Sequence, residues 1–255
     1  MAEALQANGY KVIVYVATQG PAMTHAGGRA AFDRGIFSNN DRLDPDCNCT
    51  PYMKNWYNLV ASVYGDSSEE NLKKAFADII INEYAERYGS KIDGWWFDQA
   101  HVGNCERIRD VIKRHNPNAA IAFNKGQNNP LTVNQPSIED FTAGHPNPIV
   151  NTPSNSVDNL PMIESIEATS DGFLQAETGE KSLGHMFIPL CTKWDVIGTE
   201  NVWNVSQAAD WMKRVQEAKG AWTWNIPRDS NKPDTFHLVD LDNIEFIKKV
   251  VKELK

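Results

Sequence analysis

The sequence has little that would mark a membrane, nucleic-acid-binding or disulfide-stapled protein. None of its 255 residues fall in an apolar run approaching the roughly 20 needed to span a bilayer. Lys and Arg number 25 against 33 Asp and Glu, a formal net charge of -8. Binding to a phosphate backbone runs on clustered basic residues that displace counterions, so a nucleic-acid partner is disfavoured. There are four cysteines, Cys47, Cys49, Cys105 and Cys191. The single residue between Cys47 and Cys49 is too tight for the usual zinc spacing, and all four read as buried or free thiols. No basic start followed by an apolar run is present, so a secretory leader is either absent or already removed. The expectation is a soluble protein whose compartment stays open, a secreted or periplasmic one without its leader among the alternatives. Asn48-Cys49-Thr50 and Asn204-Val205-Ser206 match glycosylation sequons, a pattern short enough to recur by chance.

Several kinds of chemistry also lack their motifs. There is no Walker loop, no nucleophile elbow and no H-E-x-x-H, which leaves phosphoryl transfer, serine hydrolysis and zinc proteolysis without support. Asn39, Asn40, Asp41, Asp44, Asp46 and Asn48 would offer oxygen ligands to calcium, but not at EF-hand spacing. This segment reads as a solvated polar loop, and neither a metal nor a cofactor is expected.

What is present is an alternation of helices and apolar strands in a chain of single-domain size. A helix over residues 1–8 closes at Gly9 and leads into the β-branched run at 11–17. Residues 18–64 dissolve into Gly, Pro, Asn and Asp and read as a long active-site loop. Ser67 and Glu70 have capping-box spacing, and Leu72, Phe76, Ile79, Ile80, Tyr84 and Tyr88 continue a helix to Gly89. A buried strand follows at 92–98, then a helix at 104–115 stopped by Asn116-Pro117, and a strand at 119–123. A short strand at 138–142, an irregular stretch to 181, a strand at 185–191, a helix at 206–219, a strand at 221–226 and a helix at 241–254 complete the pattern. Six strands alternating with helices give an α/β fold with a parallel sheet, either a doubly wound sheet or a TIM-type (β/α) barrel. No G-x-G-x-x-G follows the first strand, which weighs against the nucleotide-binding form of the open sheet.

In a barrel the C-terminal ends of the strands line the active site. Asp98 ends an otherwise apolar strand, beside Trp95, Trp96 and Gln99, and a carboxylate there needs a purpose or a partner. The bland alternative is a helix cap or a structural ion pair. Eight tryptophans are many for this length, and an aromatic face suits the C–H face of a pyranose, although plain core packing accounts for most such rings.

Tyr88-Gly89 followed by Ile92-Asp93-Gly94-Trp95-Trp96-Phe97-Asp98 resembles the Y-G-x-I-D-G-x-W-F-D-G signature of retaining α-L-fucosidases. Gly220-Ala221-Trp222-Thr223-Trp224-Asn225-Ile226-Pro227 is similar to that family's G-G-N-L-L-L-N-x-x-P strand, and Glu139-Asp140-Phe141-Thr142 to its G-D-F/Y-x-T-P-E strand. Asn8-Gly9-Tyr10 looks like the approach to its R-G-L-K-F-G-x-Y-Y-S strand. The resemblance runs in order over nearly the whole chain, and the Asp98 motif is its specific part. It implies a barrel whose six strands here correspond to the third through eighth. The family's H-W-G and H-H-D-G-F segments have no counterpart, so the first two strands either lie outside this sequence or are naturally lacking. An incomplete barrel implies an exposed edge beside the strand at 11–17, through which a homo-oligomer could form. At the T-P-E position stand Thr142-Ala143-Gly144-His145, and Gln99 replaces the Gly after the aspartate.

The resemblance implies Asp98 as the nucleophile of a retaining glycoside hydrolase, whose second group first donates and then removes a proton. His145 is the preferred acid/base, with Glu164, Glu167, Glu177 and His185 as alternatives, because an imidazole titrates near neutrality without a large shift. Trp95, Trp96, Gln99, Asn124, His185, Trp194 and Trp224 are the candidate substrate-binding residues. A carbohydrate is the expected partner. Three functions follow: a retaining fucosidase, an endo-acting hydrolase of a fucose-containing polysaccharide, and a catalytically silent sugar-binding or scaffold domain, which the lost sugar-gripping segments would favour.

Overall fold

The computed structural model describes residues 1–18, 51–100, 103–126, 130–145, 160–191, 203–226 and 241–254, with backbone alone for 51–54. The chain divides into two compact units, Met1–Lys125 and Gly126–Lys255. The candidate calcium loop, Cys47, Cys49, the first sequon and Trp194 lie outside the described residues. Cys105 and Cys191 are buried. Among the described residues no helix is long and apolar enough to cross a membrane.

In the first unit, helix α1 (Ala2–Ala7) precedes strand β1 (Ile13–Ala17). Helix α2 (Pro51–Tyr64) occupies ground that reads as loop, with Trp56, Tyr57 and Val60 buried at helical spacing. Helix α3 (Glu69–Ala75) is capped by Ser68, whose Oγ accepts from the Asn71 N–H, so the cap is one residue beyond the capping-box spacing. The helix continues through a π-helical segment, Phe76–Ile81, into α4 (Asn82–Tyr88). Within that segment Asp78 accepts two hydrogen bonds from the Arg107 guanidinium, at 2.6 and 2.7 Å, and one from the Tyr64 hydroxyl at 2.8 Å. Strand β2 (Gly94–Asp98), helix α5 (Cys105–His115) and strand β3 (Ala120–Phe123) follow. Asn104 caps α5 by accepting from the Arg107 N–H.

The three strands form a parallel sheet in the order β1-β2-β3, with Tyr15 level with Trp96, Ala17 with Asp98 and Phe97 with Phe123. Successive side chains along a strand point to opposite faces, so this register sorts the sheet. Val14, Val16, Trp95, Phe97, Ile121 and Phe123 share one face. Tyr15, Trp96 and Asp98 share the other. Phe97, Ile121 and Phe123 are fully buried, each side chain contributing roughly 1.5–3 kcal/mol of apolar burial. Among the described residues β1 forms one margin of this sheet, with Ile13 and Tyr15 exposed. Beside it Val14, Val16 and Trp95, with Leu5, Ile80 and Tyr84, line an apolar groove of about 570 Å³.

In the second unit, helix α6 (Leu160–Glu167) and an antiparallel hairpin, β4 (Phe173–Gln175) with β5 (Lys181–Leu183), fill the stretch that reads as irregular. Strand β6 (His185–Pro189), helix α7 (Val205–Glu217), strand β7 (Ala221–Asn225) and helix α8 (Leu241–Glu253) complete it. β6 and β7 are parallel neighbours. The expected strand at 138–142 contracts to a single parallel bridge from Phe141 to Leu183, continued by hydrogen bonds from Thr142 N–H to Leu183 O and from Phe187 N–H to Gly144 O. Met186, Ile188 and Leu190 pack with Met162, Ile166, Ala208, Val215 and Val250 into one core, against which Trp222 and Trp224 also lie. His185, Phe187 and Thr223 occupy the opposite face of the strand pair.

Candidate active site

Asp98 is the last residue of β2, and among the described residues its half-buried carboxylate accepts three hydrogen bonds, all from neutral donors. The Tyr15 hydroxyl donates to Oδ2 at 2.6 Å, the Asn124 amide to Oδ1 at 2.7 Å, and the Gln99 backbone N–H to Oδ1 at 2.9 Å. The register supplies two of these partners. Tyr15 projects on the Asp98 face one step back along β1, and Asn124 follows β3, tied by its own N–H to Phe97 O at 2.7 Å.

The third donor depends on a sharp turn. Gln99 has φ of 55°, a left-handed conformation that costs a non-glycine residue of order 1 kcal/mol or more. Thr18 fixes it. This fully buried residue donates its N–H to Asp98 O, and its hydroxyl lies 2.7 Å from Asp98 O and 2.5 Å from Gln99 O. Ala100 N–H closes the turn onto Asn124 O at 2.7 Å. The glycine that follows the aspartate in the fucosidase signature suits this same conformation.

Of the residues picked out from sequence in this unit, Trp96, Gln99 and Asn124 come together with Asp98. Trp96 is buried and stacks on the exposed ring of Tyr15, centroids 5.3 Å apart and planes 19° apart. Trp95 is a correction to that grouping. The two-residue repeat of the strand turns it to the opposite face, where it lies along Phe97 and lines the apolar groove.

In the second unit the peptide carrying His145 runs against β6. Gly144 has φ of 71°, and a Cβ there would stand 2.3 Å from His185 O and 2.7 Å from Met186 Cα, so only glycine permits the approach. His145 is half-buried immediately beyond this contact, at the downstream end of the segment.

His185 is placed differently. It opens β6, at the N-terminal end of that strand, and is 6% exposed. Its Nδ1 lies 2.9 Å from Thr142 O, a pure acceptor, which assigns the proton to Nδ1. Nε2 then accepts from the Thr223 hydroxyl at 2.8 Å. Burial pushes its pKa down from 6.5 to about 4, against the opposing pull of the backbone hydrogen bond to Thr142. Both nitrogens are engaged within the protein, a holding arrangement rather than a proton shuttle.

Glu164 and Glu167 lie on the exposed side of α6, and Glu167 is paired twice with Arg214, at 2.7 and 2.8 Å, which holds its carboxyl below its ordinary range. Glu177 is exposed in the turn of the hairpin that precedes β6 in the chain. Trp224 faces the helical core, packed edge-on against Trp203 and Trp222 at 5.9 and 4.9 Å, because it alternates with Thr223 along β7. Sequence reading passes over Tyr15, Thr18 and Thr223. For Tyr15 one signal exists, since it carries the only polar tip in its strand. Among the described residues no group of three or more His, Cys, Asp or Glu stands where it could hold a metal ion.

Residues 129–254 match the family model of the endo-α(1,4)-fucoidanase Mef1. No curated protein matches the sequence. Among solved structures the chain is similar to the endo-fucoidan hydrolase MfFcnA4 of glycoside hydrolase family 107, with 18% identity and a TM-score of 0.72 over 98% of this chain and 39% of that one. It is similar to the family 107 endo-fucoidan hydrolase P5AFcnA, with 18% identity and a TM-score of 0.72 over 100% of this chain and 69% of that one. The α-L-fucosidase AlfC from Lactobacillus casei, in complex with α-L-fucose, shares 16% identity and a TM-score of 0.53 over 99% of this chain and 63% of AlfC. The chain thus spans between about two fifths and two thirds of the lengths of these proteins. The likeness is one of fold: this is an α/β chain built like fucose-related glycoside hydrolases, and its C-terminal half matches an endo-fucoidanase family model.

Proposed function

We propose that the chain carries the catalytic apparatus of an endo-acting glycoside hydrolase that cleaves α-L-fucosyl linkages within a fucose-containing polysaccharide, with retention through a glycosyl-enzyme on Asp98. The observation that carries the chemistry is the Asp98 carboxylate, ionisable and oriented by Tyr15, Asn124 and Gln99 at the end of β2. The endo-acting mode and substrate class rest on the family match over residues 129–254. A TIM-type (β/α) barrel as the scaffold belongs to the same proposal, supported by parallel strands that alternate with helices.

In the first half-reaction an Asp98 oxygen bonds to the anomeric carbon as the glycosidic C–O bond breaks, and an acid delivers its proton to the departing oxygen. In the second, the deprotonated group takes a proton from water, the water oxygen bonds to the anomeric carbon, and the bonding pair returns to the Asp98 carboxylate. His145 is proposed for the acid/base role, since His185 is buried, neutral and occupied at both nitrogens. Trp96, Gln99 and Asn124 are proposed to contact the sugar bound at Asp98.

Asp98→Ala tests the assignment. The expected outcome is loss of turnover with the fold intact, and azide-dependent recovery on an activated aryl glycoside of an α-L-fuco-oligosaccharide, yielding a glycosyl azide of inverted configuration. Endo action predicts that a fucose-containing polysaccharide is shortened internally, without early release of free fucose. Wild-type protein that binds such oligosaccharides but cleaves neither substrate would identify a silent binding domain instead.

A further inference from the structure

The two oxygens of Asp98 are not equivalent. Oδ1 accepts two hydrogen bonds, from a backbone N–H and from the amide of a buried asparagine, which fill the two lone-pair directions of a carboxylate oxygen. Oδ2 accepts one, from Tyr15. Among the described residues, Oδ2 is therefore the oxygen that retains a lone pair for a substrate atom. Its donor sits on an exposed ring, 58% accessible, held flat against Trp96.

Resting on the reading of Asp98 as nucleophile, we propose that Oδ2 is the attacking atom and that Tyr15 governs breakdown of the glycosyl-enzyme. The O–H of Tyr15 stabilises the free carboxylate through a short charge-assisted bond. When Oδ2 forms its bond to the anomeric carbon it becomes an ester oxygen with little negative charge, and that hydrogen bond weakens. When water attacks and the C–Oδ2 bond breaks, the electron pair returns to Oδ2 and the Tyr15 bond is restored. The phenol therefore opposes formation of the intermediate slightly and assists its breakdown, by making Asp98 a better leaving group. No proton moves to or from Tyr15 in either step.

Tyr15→Phe removes the donor and keeps the ring that packs on Trp96. A hydrogen bond to a charged group corresponds to a rate change of roughly ten- to a hundredfold. With a 4-nitrophenyl glycoside of an α-L-fuco-oligosaccharide, whose first step needs little proton donation, Tyr15→Phe is expected to lower kcat and KM in parallel by about that factor. The value of kcat/KM stays within about threefold. Rapid-mixing traces are expected to show a burst of close to one nitrophenolate per enzyme, and mass spectrometry a glycosyl adduct on the Asp98 peptide. Circular dichroism and thermal unfolding verify that the variant is folded. A variant with unchanged kcat, or one whose kcat/KM falls without a burst, overturns the Tyr15 proposal and leaves the hydrolase reading standing. Wild-type protein that releases no nitrophenolate and shortens no polysaccharide overturns both.

Discussion

Acid should destabilise this protein through His185 in a way that one substitution can isolate. The buried ring binds its proton only near pH 4, whereas in the unfolded chain it does so near 6.5. The unfolded state therefore holds more protons between those values. His185 contributes fully to stability above about pH 6.5, loses that contribution progressively as the pH falls, and loses no more below about pH 4. A difference of about 2.5 pH units at about 1.4 kcal/mol each is on the order of 3 kcal/mol. Carboxylates held below their ordinary range, Glu167 among them, add their own acid sensitivity, so total stability is the wrong observable. Urea unfolding of wild type and His185→Gln at pH 7.5, 5.5 and 4.5 separates the terms. The variant should be less stable at pH 7.5 by about 1–3 kcal/mol, having lost part of the bonding to Thr142 and Thr223. That deficit should shrink by about 2–3 kcal/mol at pH 4.5, because glutamine has no proton to gain. Two parallel stability curves would refute the assignment of a buried, neutral imidazole.

Two backbone positions give further tests. Gly144→Ala should prevent folding or cost well over 3 kcal/mol in denaturant unfolding, because its Cβ would meet the β6 backbone rather than a side chain that can turn away. Gln99→Gly should raise stability by about 1 kcal/mol by relieving the left-handed backbone while weakening substrate binding, whereas Gln99→Ala should weaken binding without the gain in stability; equal stability of the two variants in urea would show that Gln99 is unstrained.

The alternation of helix and strand and the position of Asp98 at a strand end were legible because they depend on local periodicity and on the side-chain type at the end of an apolar run. Helix α2 was obscured by its polar neighbours, although Pro51 at its first position and the spacing of Trp56 and Val60 carry a helical signal. The hairpin β4–β5 was too short, three residues a strand, for alternation to register. The π-helical segment has no side-chain pattern of its own that separates it from α-helix. The surroundings of Asp98 were partly hidden for another reason. Tyr15 is 83 positions away and meets it only because β1 and β2 are parallel neighbours in one specific register. Likewise, the fate of His185 turns on Thr142 and Thr223, each about forty residues distant, and no spacing rule links them.

The uncharged character of the three described groups that bond Asp98 bears on the ionic medium in which the site can work. Salt screens interactions between separated charges, with a Debye length near 10 Å at about 0.1 M, and acts far less on short dipolar contacts at a half-buried oxygen. An aspartate oriented by an arginine or lysine would loosen from its partner as electrolyte rises. One held by a phenol, an amide and a peptide N–H is expected to keep its orientation from dilute buffer to brine. Any loss of activity on adding electrolyte would then have its origin elsewhere than in the geometry of the carboxylate itself.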